Sequence, residues 1–148
     1  METTSAFGRI LVGADGSENS KKAVGIAVSL AKRCGAELTV VHVITRPAYP
    51  IAGNEGIDAS DYFAEVRKES KEWMDDAVRL AESNGVKASG QVLESDSILK
   101  AILDYAAKDR VDLIVLGTRG LSNFKRLLIG SVSSGVVNHA ECSVLVVR

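Results

Sequence analysis

Hydrophobic residues follow two kinds of pattern along this chain, short continuous runs and longer stretches with a spacing of three and four. Five runs rich in Val, Ile and Leu lie at residues 9–13, 37–44, 86–93, 111–116 and 143–147. Runs of this length predict β-strands. Because most of them carry no polar face, they indicate a parallel sheet that is covered by helices on both sides.

Helical spacing fills the intervals between these runs. A first helix is predicted over residues 20–34, with Gly35 as its C-terminal cap. A long second helix carries an inward stripe at steps of three and four, made of Phe63, Val66, Ser70, Trp73, Ala77, Leu80 and Asn84, and Met74, Val78 and Ala81 widen it. Trp73 is interpreted as a residue that faces the core or sheet. Further helices are predicted after the serine-rich cap at 95–97 and after Gly130.

The run at 86–93 is the weakest of the five, because it alternates apolar with polar residues, and this pattern favours an edge strand. Strands and helices otherwise alternate from one end of the chain to the other. That order predicts a single doubly wound α/β domain over residues 1–148, with right-handed crossovers.

The composition argues against two classes of partner, nucleic acids and membranes. The chain has 148 residues, and its 18 basic and 19 acidic residues give a net charge of −1, which argues against a nucleic-acid partner. No apolar run approaches the roughly 20 residues that cross a bilayer, so no membrane association is expected. The polar N-terminus does not resemble a secretion signal, and the cytoplasm is the expected location. Cys34 and Cys142 are predicted to be reduced, mostly buried thiols.

Ligands of doubly wound sheets bind outside the carboxyl ends of the strands, where the strand order reverses. The candidate positions are the strand ends at 13–15, 43–44 and 116–117. Asp15 follows the first strand and could accept hydrogen bonds from ribose hydroxyls or an adenine amino group; alternatively, it only caps the first helix. Backbone groups near Val43 could bind an adenine edge.

A glycine-rich stretch, Gly117-x2-Gly120-x9-Gly130-Ser131, follows the fourth strand. It matches neither the Walker A nor the GxGxxG spacing. Gly117 and Gly120 can adopt positive φ and admit a ligand, and Gly130 with Ser131 places N–H groups at a helix N-terminus. Three basic residues lie in the same loop, Arg119, Lys125 and Arg126. These features predict a phosphate site; alternatively, the glycines only form turns.

The glycine spacing, the Asp15-Gly16-Ser17 turn, the His42-Val43 pair and the closing Val-Leu-Val-Val resemble the universal stress protein family over essentially the whole chain. The resemblance implies a strand order of 3-2-1-4-5 and ATP bound at the switch point. It also implies a homodimer joined through residues Ser143–Val147. Ser143 departs from the family, which usually has proline before the last strand.

Carried over residue by residue, the resemblance assigns a set of contacts. Ala14 and Asp15 would line the adenosine pocket, Val43 would contact the adenine, and Leu116 and Gly117 would border the ribose. The triphosphate would be held by Gly120, Gly130, Ser131, Val132 and Ser133. Mg²⁺ or Mn²⁺ could accompany the phosphates, although no carboxylate clearly ligates it.

Three hypotheses for function follow. We favour an ATP-binding regulatory or stress-response protein over a slow ATPase or self-phosphorylating enzyme with Ser131, Ser133 or Ser134 as the acceptor. The third is a dimerisation module that binds no nucleotide, against which the intact glycine signature argues. His42 is interpreted as a hydrogen-bonded structural residue, and His139 as a residue suited to a helix end. No catalytic Ser/His/Asp set is recognisable, so the sequence does not argue for catalysis.

Overall fold

A computed structural model describes residues 5–45, 59–118 and 130–148. Its elements alternate strictly: β1 (Arg9–Gly13), α1 (Glu18–Cys34), β2 (Glu37–Thr45), α2 (Ala59–Ser83), β3 (Ala88–Ser95), α3 (Ile98–Lys108), β4 (Leu113–Gly117), α4 (Ser131–His139) and β5 (Ser143–Val147). All strand pairs are parallel, and the order is β3-β2-β1-β4-β5. The doubly wound fold and the predicted order are therefore confirmed.

The strand β1 lies at the centre of the sheet, and Ile10, Leu11 and Val12 on it are almost completely buried. The reason is that helices cover both faces. The small residues Ala23 and Ala27 of α1 pack on one face of the sheet. Ile102 of α3 and Val136 of α4 belong to the cluster on the other face. The absence of a polar strand face in the sequence follows directly from this double cover.

The helix α1 ends at Cys34 as predicted, but it begins at Glu18, two residues earlier than predicted. The Ser17 hydroxyl accepts a hydrogen bond from the Ser20 N–H at 3.1 Å, which makes Ser17 the N-cap. Gly35 closes the helix in the left-handed region, with φ of 66°. The helix α3 begins in the same way, since Ser97 accepts from the Lys100 N–H.

The inward face of α2 agrees with the predicted stripe, with Leu80 as an exception. Ser70, Met74 and Ala81 are buried, and Trp73, Ala77 and Val78 are partly buried against the core, whereas Leu80 is 46% exposed. A side chain on Gly90 of β3 would lie 2.7 Å from Met74, so Met74 packs into the space that the glycine leaves. This contact joins α2 to the edge strand.

The edge position of β3 is confirmed, but the strand begins two residues later than predicted. Val86 is buried before the strand starts, and Val92 is 37% exposed on this strand, which among the described residues pairs with β2 alone. Both cysteines are free thiols of intermediate exposure that pack against the two core clusters, which agrees with the expectation that they are mostly buried. None of the helices in the described ranges is long and apolar enough to cross a bilayer.

Candidate functional site

A cleft of about 460 Å³ opens at the carboxyl ends of β1, β2 and β4, where the strand order reverses. Its walls come from the turn after β1, the end of β2, the first turns of α3 and α4, and the end of β4. The residues that line it are Gly13, Ala14, Asp15, Ser20, Val41, His42, Val43, Ile98, Ile102, Leu116, Gly117, Gly130, Ser131, Val132 and Ser133.

The fold brings together every predicted site residue that the structure describes. Those residues are Ala14, Asp15, Val43, Leu116, Gly117, Gly130, Ser131, Val132 and Ser133. Gly120 lies outside the described residues, as do the basic residues Arg119, Lys125 and Arg126. Positions more than a hundred residues apart in sequence therefore share one cavity.

Asp15 is held in a tight turn that joins β1 to α1. Its Oδ1 accepts a hydrogen bond from the Ser17 N–H at 2.9 Å, and its own N–H donates to the Ser20 hydroxyl at 3.3 Å. The helix cap is Ser17, so the alternative in which Asp15 serves only as that cap is wrong. Asp15 is partly exposed in the cleft wall and offers a carboxylate to a ligand.

The N-terminus of α4 is pinned to the end of β4. The Ser133 hydroxyl donates to the Gly117 carbonyl at 2.6 Å, and the Gly130 N–H donates to the Thr118 carbonyl at 2.6 Å. The Thr118 N–H in turn donates to the carbonyl of Val147 on β5. These bonds hold the first turn of α4, with its partial positive charge, at the cleft.

Gly117 does not adopt the positive φ that we expected for it. The site is nevertheless crowded, because a Cβ at this position would overlap the side-chain amide of Asn19 on α1 and that amide would have to move. The first turn of α1 thus packs directly on the backbone of Gly117 and sets its distance from Asp15 and Ser17, which lie in the turn that precedes α1.

Sequence reasoning missed several lining residues. Ile98 and Ile102 of α3 and Val41 of β2 form an apolar wall together with the predicted Val43 and Leu116. The spacing of the two isoleucines predicted that they face inward, but it did not show that this inward face meets a cavity. Ser20 was also missed, and no local signal in the sequence marks it as a lining residue, whereas Gly13 belongs to the predicted strand end at 13–15.

His42 also lines the cleft, and its contacts agree with a structural interpretation. Its Nδ1 lies 2.9 Å from the Ala14 carbonyl oxygen. Because a carbonyl only accepts, Nδ1 carries the proton in this bond. The imidazole meets the indole of Trp73 in an edge arrangement, with a centroid distance of 4.9 Å and an interplanar angle of 80°.

Known proteins are similar to this chain in sequence and in fold. Residues 6–148 match the model of the universal stress protein family. The chain is 36% identical to universal stress protein YxiE of Bacillus subtilis, over 96% of this chain and 99% of that relative. Universal stress protein UspA from Lactobacillus plantarum superposes with a TM-score of 0.86 at 29% identity, covering 95% of this chain and 97% of that one. The crystal structure of a universal stress protein in complex with cAMP has a TM-score of 0.75, covering 97% of this chain and 99% of that one; its 24% identity supports the fold alone.

Proposed function

The chain belongs to the universal stress protein family, and we propose that it is an ATP-binding regulatory protein of the stress response. One observation carries the proposal. Those residues of the family's ATP-binding signature and of the strand ends that the structure describes line the same cleft at the switch point of the sheet. Solved relatives of this fold, 24% and 22% identical to the chain, are complexes with cAMP and dAMP, which supports an adenine nucleotide as the ligand.

The cleft offers different chemistry along its length. The apolar wall around Val43 and Ile102 suits a purine ring, and the Asp15 carboxylate can accept from a ribose hydroxyl. At the other end, the N–H groups of Ser131, Val132 and Ser133 open a helix and suit phosphate oxygens. This order of base, sugar and phosphate is that of a nucleotide.

A divalent ion, Mg²⁺ or Mn²⁺, belongs to the proposal as a companion of the phosphates. In the described part of the chain, no group of three or more His, Cys, Asp or Glu side chains could hold a metal ion. The ion would therefore be held mainly by phosphate oxygens. The exposed Ser131 hydroxyl at the start of α4 is a candidate protein ligand.

We propose binding rather than efficient catalysis as the role of the site. Hydrolysis of ATP needs a group that positions water and charge at the γ-phosphate. Among the described lining residues, Asp15 is the one carboxylate and His42 the one imidazole, and both are engaged in hydrogen bonds within the turn. If the protein does phosphorylate itself, Ser131 is the better acceptor, because the Ser133 hydroxyl is buried and bonded to Gly117.

The experiment begins with the purified protein. Acid extraction and chromatography should recover an adenine nucleotide, and added ATP should raise the melting temperature. The proposal would be overturned if no nucleotide were recovered and added ATP left the melting temperature unchanged. Single-turnover measurement with labelled ATP then tests the enzyme alternative, for which rapid release of phosphate or labelling of Ser131 would be the evidence.

We also propose a homodimer through β5. Among the described residues, β5 pairs with β4 alone, and Val144, Leu145 and Val146 on it are partly exposed. Val137 on the adjacent α4 is 48% exposed. An apolar edge strand of this kind favours pairing with a second copy, which would cover both its backbone groups and its side chains.

A further inference from the structure

The hydrogen-bonded ladder between β1 and β2 ends abruptly beside the cleft. The Glu37 N–H donates to Gly8 and the Ala14 N–H donates to Val41, so odd-numbered residues of β2 direct their backbone groups toward β1. Even-numbered residues face β3 instead, as the Leu38 N–H donates to Lys87. The groups of Val43 therefore point toward the side on which β1 has just ended.

A regular parallel ladder would continue by one more bond. After Ala14 donates to Val41, the next bond of the pattern joins the Val43 N–H to the Ala14 carbonyl. Among the described residues that bond is not made, and the Ala14 carbonyl accepts from Nδ1 of His42 instead. His42 occupies the position opposite Ala14 in the strand register, so its side chain replaces the backbone donor.

We infer that His42 is a positioning residue for base recognition: by engaging the Ala14 carbonyl, it keeps the Val43 N–H and C=O available to the adenine edge. The inference rests on the proposed function. A strand residue whose N–H and C=O both face the cleft presents one donor beside one acceptor. Adenine is complementary to this pair, since it carries an amino donor next to a ring nitrogen acceptor.

Trp73 of α2 packs against the imidazole of His42 and stabilises its position. Its indole meets the His42 ring edge-on, and its Nε1 lies 3.2 Å from where a Cβ on Gly16 would be. Gly16 has φ of 80°, so a side chain there is excluded both by the backbone conformation and by the indole. Because α2 supplies Trp73, the helix holds both His42 and the turn that carries Asp15.

Two variants of His42 separate this role from general packing. The Nδ2 amide of asparagine can stand in for Nδ1, whereas the amide of glutamine places its donor one bond farther out. His42→Asn should therefore retain the bond to Ala14, and His42→Gln should lose it. Both substitutions introduce a neutral amide, so they are matched in charge and polarity.

The affinities of both variants and the wild type for ATP and for inosine triphosphate (ITP) should be measured by calorimetry. Inosine carries an acceptor oxygen in place of the amino donor, so the wild type should prefer ATP by about tenfold or more. His42→Asn should keep this preference. In His42→Gln, the Ala14 carbonyl takes the Val43 N–H, so ATP affinity should fall by about tenfold and the preference should approach one.

A second readout needs no ligand. In the free protein, the Val43 amide should exchange with deuterium more slowly in His42→Gln than in the wild type, because it becomes hydrogen-bonded. If His42→Gln kept the wild-type ratio of ATP to ITP affinity, the inference would be overturned while the proposed function would stand. A wild type that binds ATP and ITP equally would do the same. A wild type that binds no ATP would overturn the proposed function together with it.

Discussion

The side-chain amide of Asn19 fills the space that a Cβ on Gly117 would occupy. This contact joins the first turn of α1 to the end of β4, the two elements that flank the cleft. Gly117→Ala should therefore lower the free energy of unfolding by about 1–3 kcal/mol and weaken ATP binding. Urea denaturation and calorimetry measure the two effects.

The cause of that loss can be tested with a second substitution. In an Asn19→Ala background, Gly117→Ala should lower the free energy of unfolding by a smaller amount than in the wild type. The difference between the two losses should be about 0.5 kcal/mol or more. Gly25→Ala is the control, because nothing lies within 4 Å of the added Cβ, and it should stabilise α1 by about 0.5–1 kcal/mol. Equal costs of Gly117→Ala in both backgrounds would contradict the steric explanation.

Gly130 tests the phosphate end of the cleft. Its φ of −67° and ψ of 162° are open to any residue, so Gly130→Val should fold. The branched side chain would stand where a phosphate must approach the backbone, and we expect ATP binding to be lost while adenosine binding is retained. Calorimetric titration with both ligands decides the matter. Unchanged ATP affinity would mean that this helix start is not the phosphate site.

The proposed dimer depends on the outward groups of β5. Because the Thr118 N–H donates to Val147, the odd-numbered residues of β5 face β4, and the N–H groups of Val144 and Val146 face outward. Val146→Pro removes an outward donor and should convert a dimer to a monomer with little change in melting temperature. Light scattering after size-exclusion chromatography gives the mass.

The matched control for the dimer is Leu145→Pro. That substitution removes a donor from the ladder with β4, so it should lower the melting temperature as well as alter the assembly. A wild type that elutes as a monomer, or a Val146→Pro variant that remains a dimer, would contradict pairing through this strand.

Asp112 offers a test of stability apart from binding. Its Oδ2 accepts hydrogen bonds from the N–H groups of Gly8 and Arg9, each at 2.8 Å. These bonds lie at the amino ends of the strands, opposite the cleft. Asp112→Ala should lower the free energy of unfolding by about 1–2 kcal/mol, because two hydrogen bonds are lost. The loss is no larger because both donors are exposed and water can hydrate them in the variant. ATP affinity should stay unchanged. A loss of affinity without a loss of stability would be the contrary result.

Cys142 should be a slow nucleophile. Burial raises the pKa of its thiol, and the nearby Asp112 carboxylate raises it further, so the reactive thiolate forms only at more alkaline pH than in an unfolded chain. Alkylation by iodoacetamide, followed by mass spectrometry in a Cys34→Ser background, should show a higher pH midpoint in the native protein than in urea. Identical midpoints would contradict this expectation.

Much of the fold could be predicted from the sequence because it depends on local patterns. The β-branched runs predicted strands buried on both faces, Gly35 predicted where α1 ends, and the serines at 95–97 predicted where α3 begins. The strand order and the candidate residues came from the resemblance to a family, whose spacing of glycines is itself a local feature. The structure confirmed the order and brought the described candidates into one cleft.

Contacts between distant residues decided the rest. Met74 of α2 fills the space at Gly90 of β3, and the crowding at position 117 comes from Asn19 rather than from backbone conformation. The bond from His42 to Ala14 replaces a backbone donor in a ladder that no sequence pattern reveals. By itself, the sequence determined which elements form and which residue types meet at the strand ends. Only the tertiary structure decided which hydrogen-bonding groups stay available in the cleft, because that depends on how side chains from separate elements pair across space.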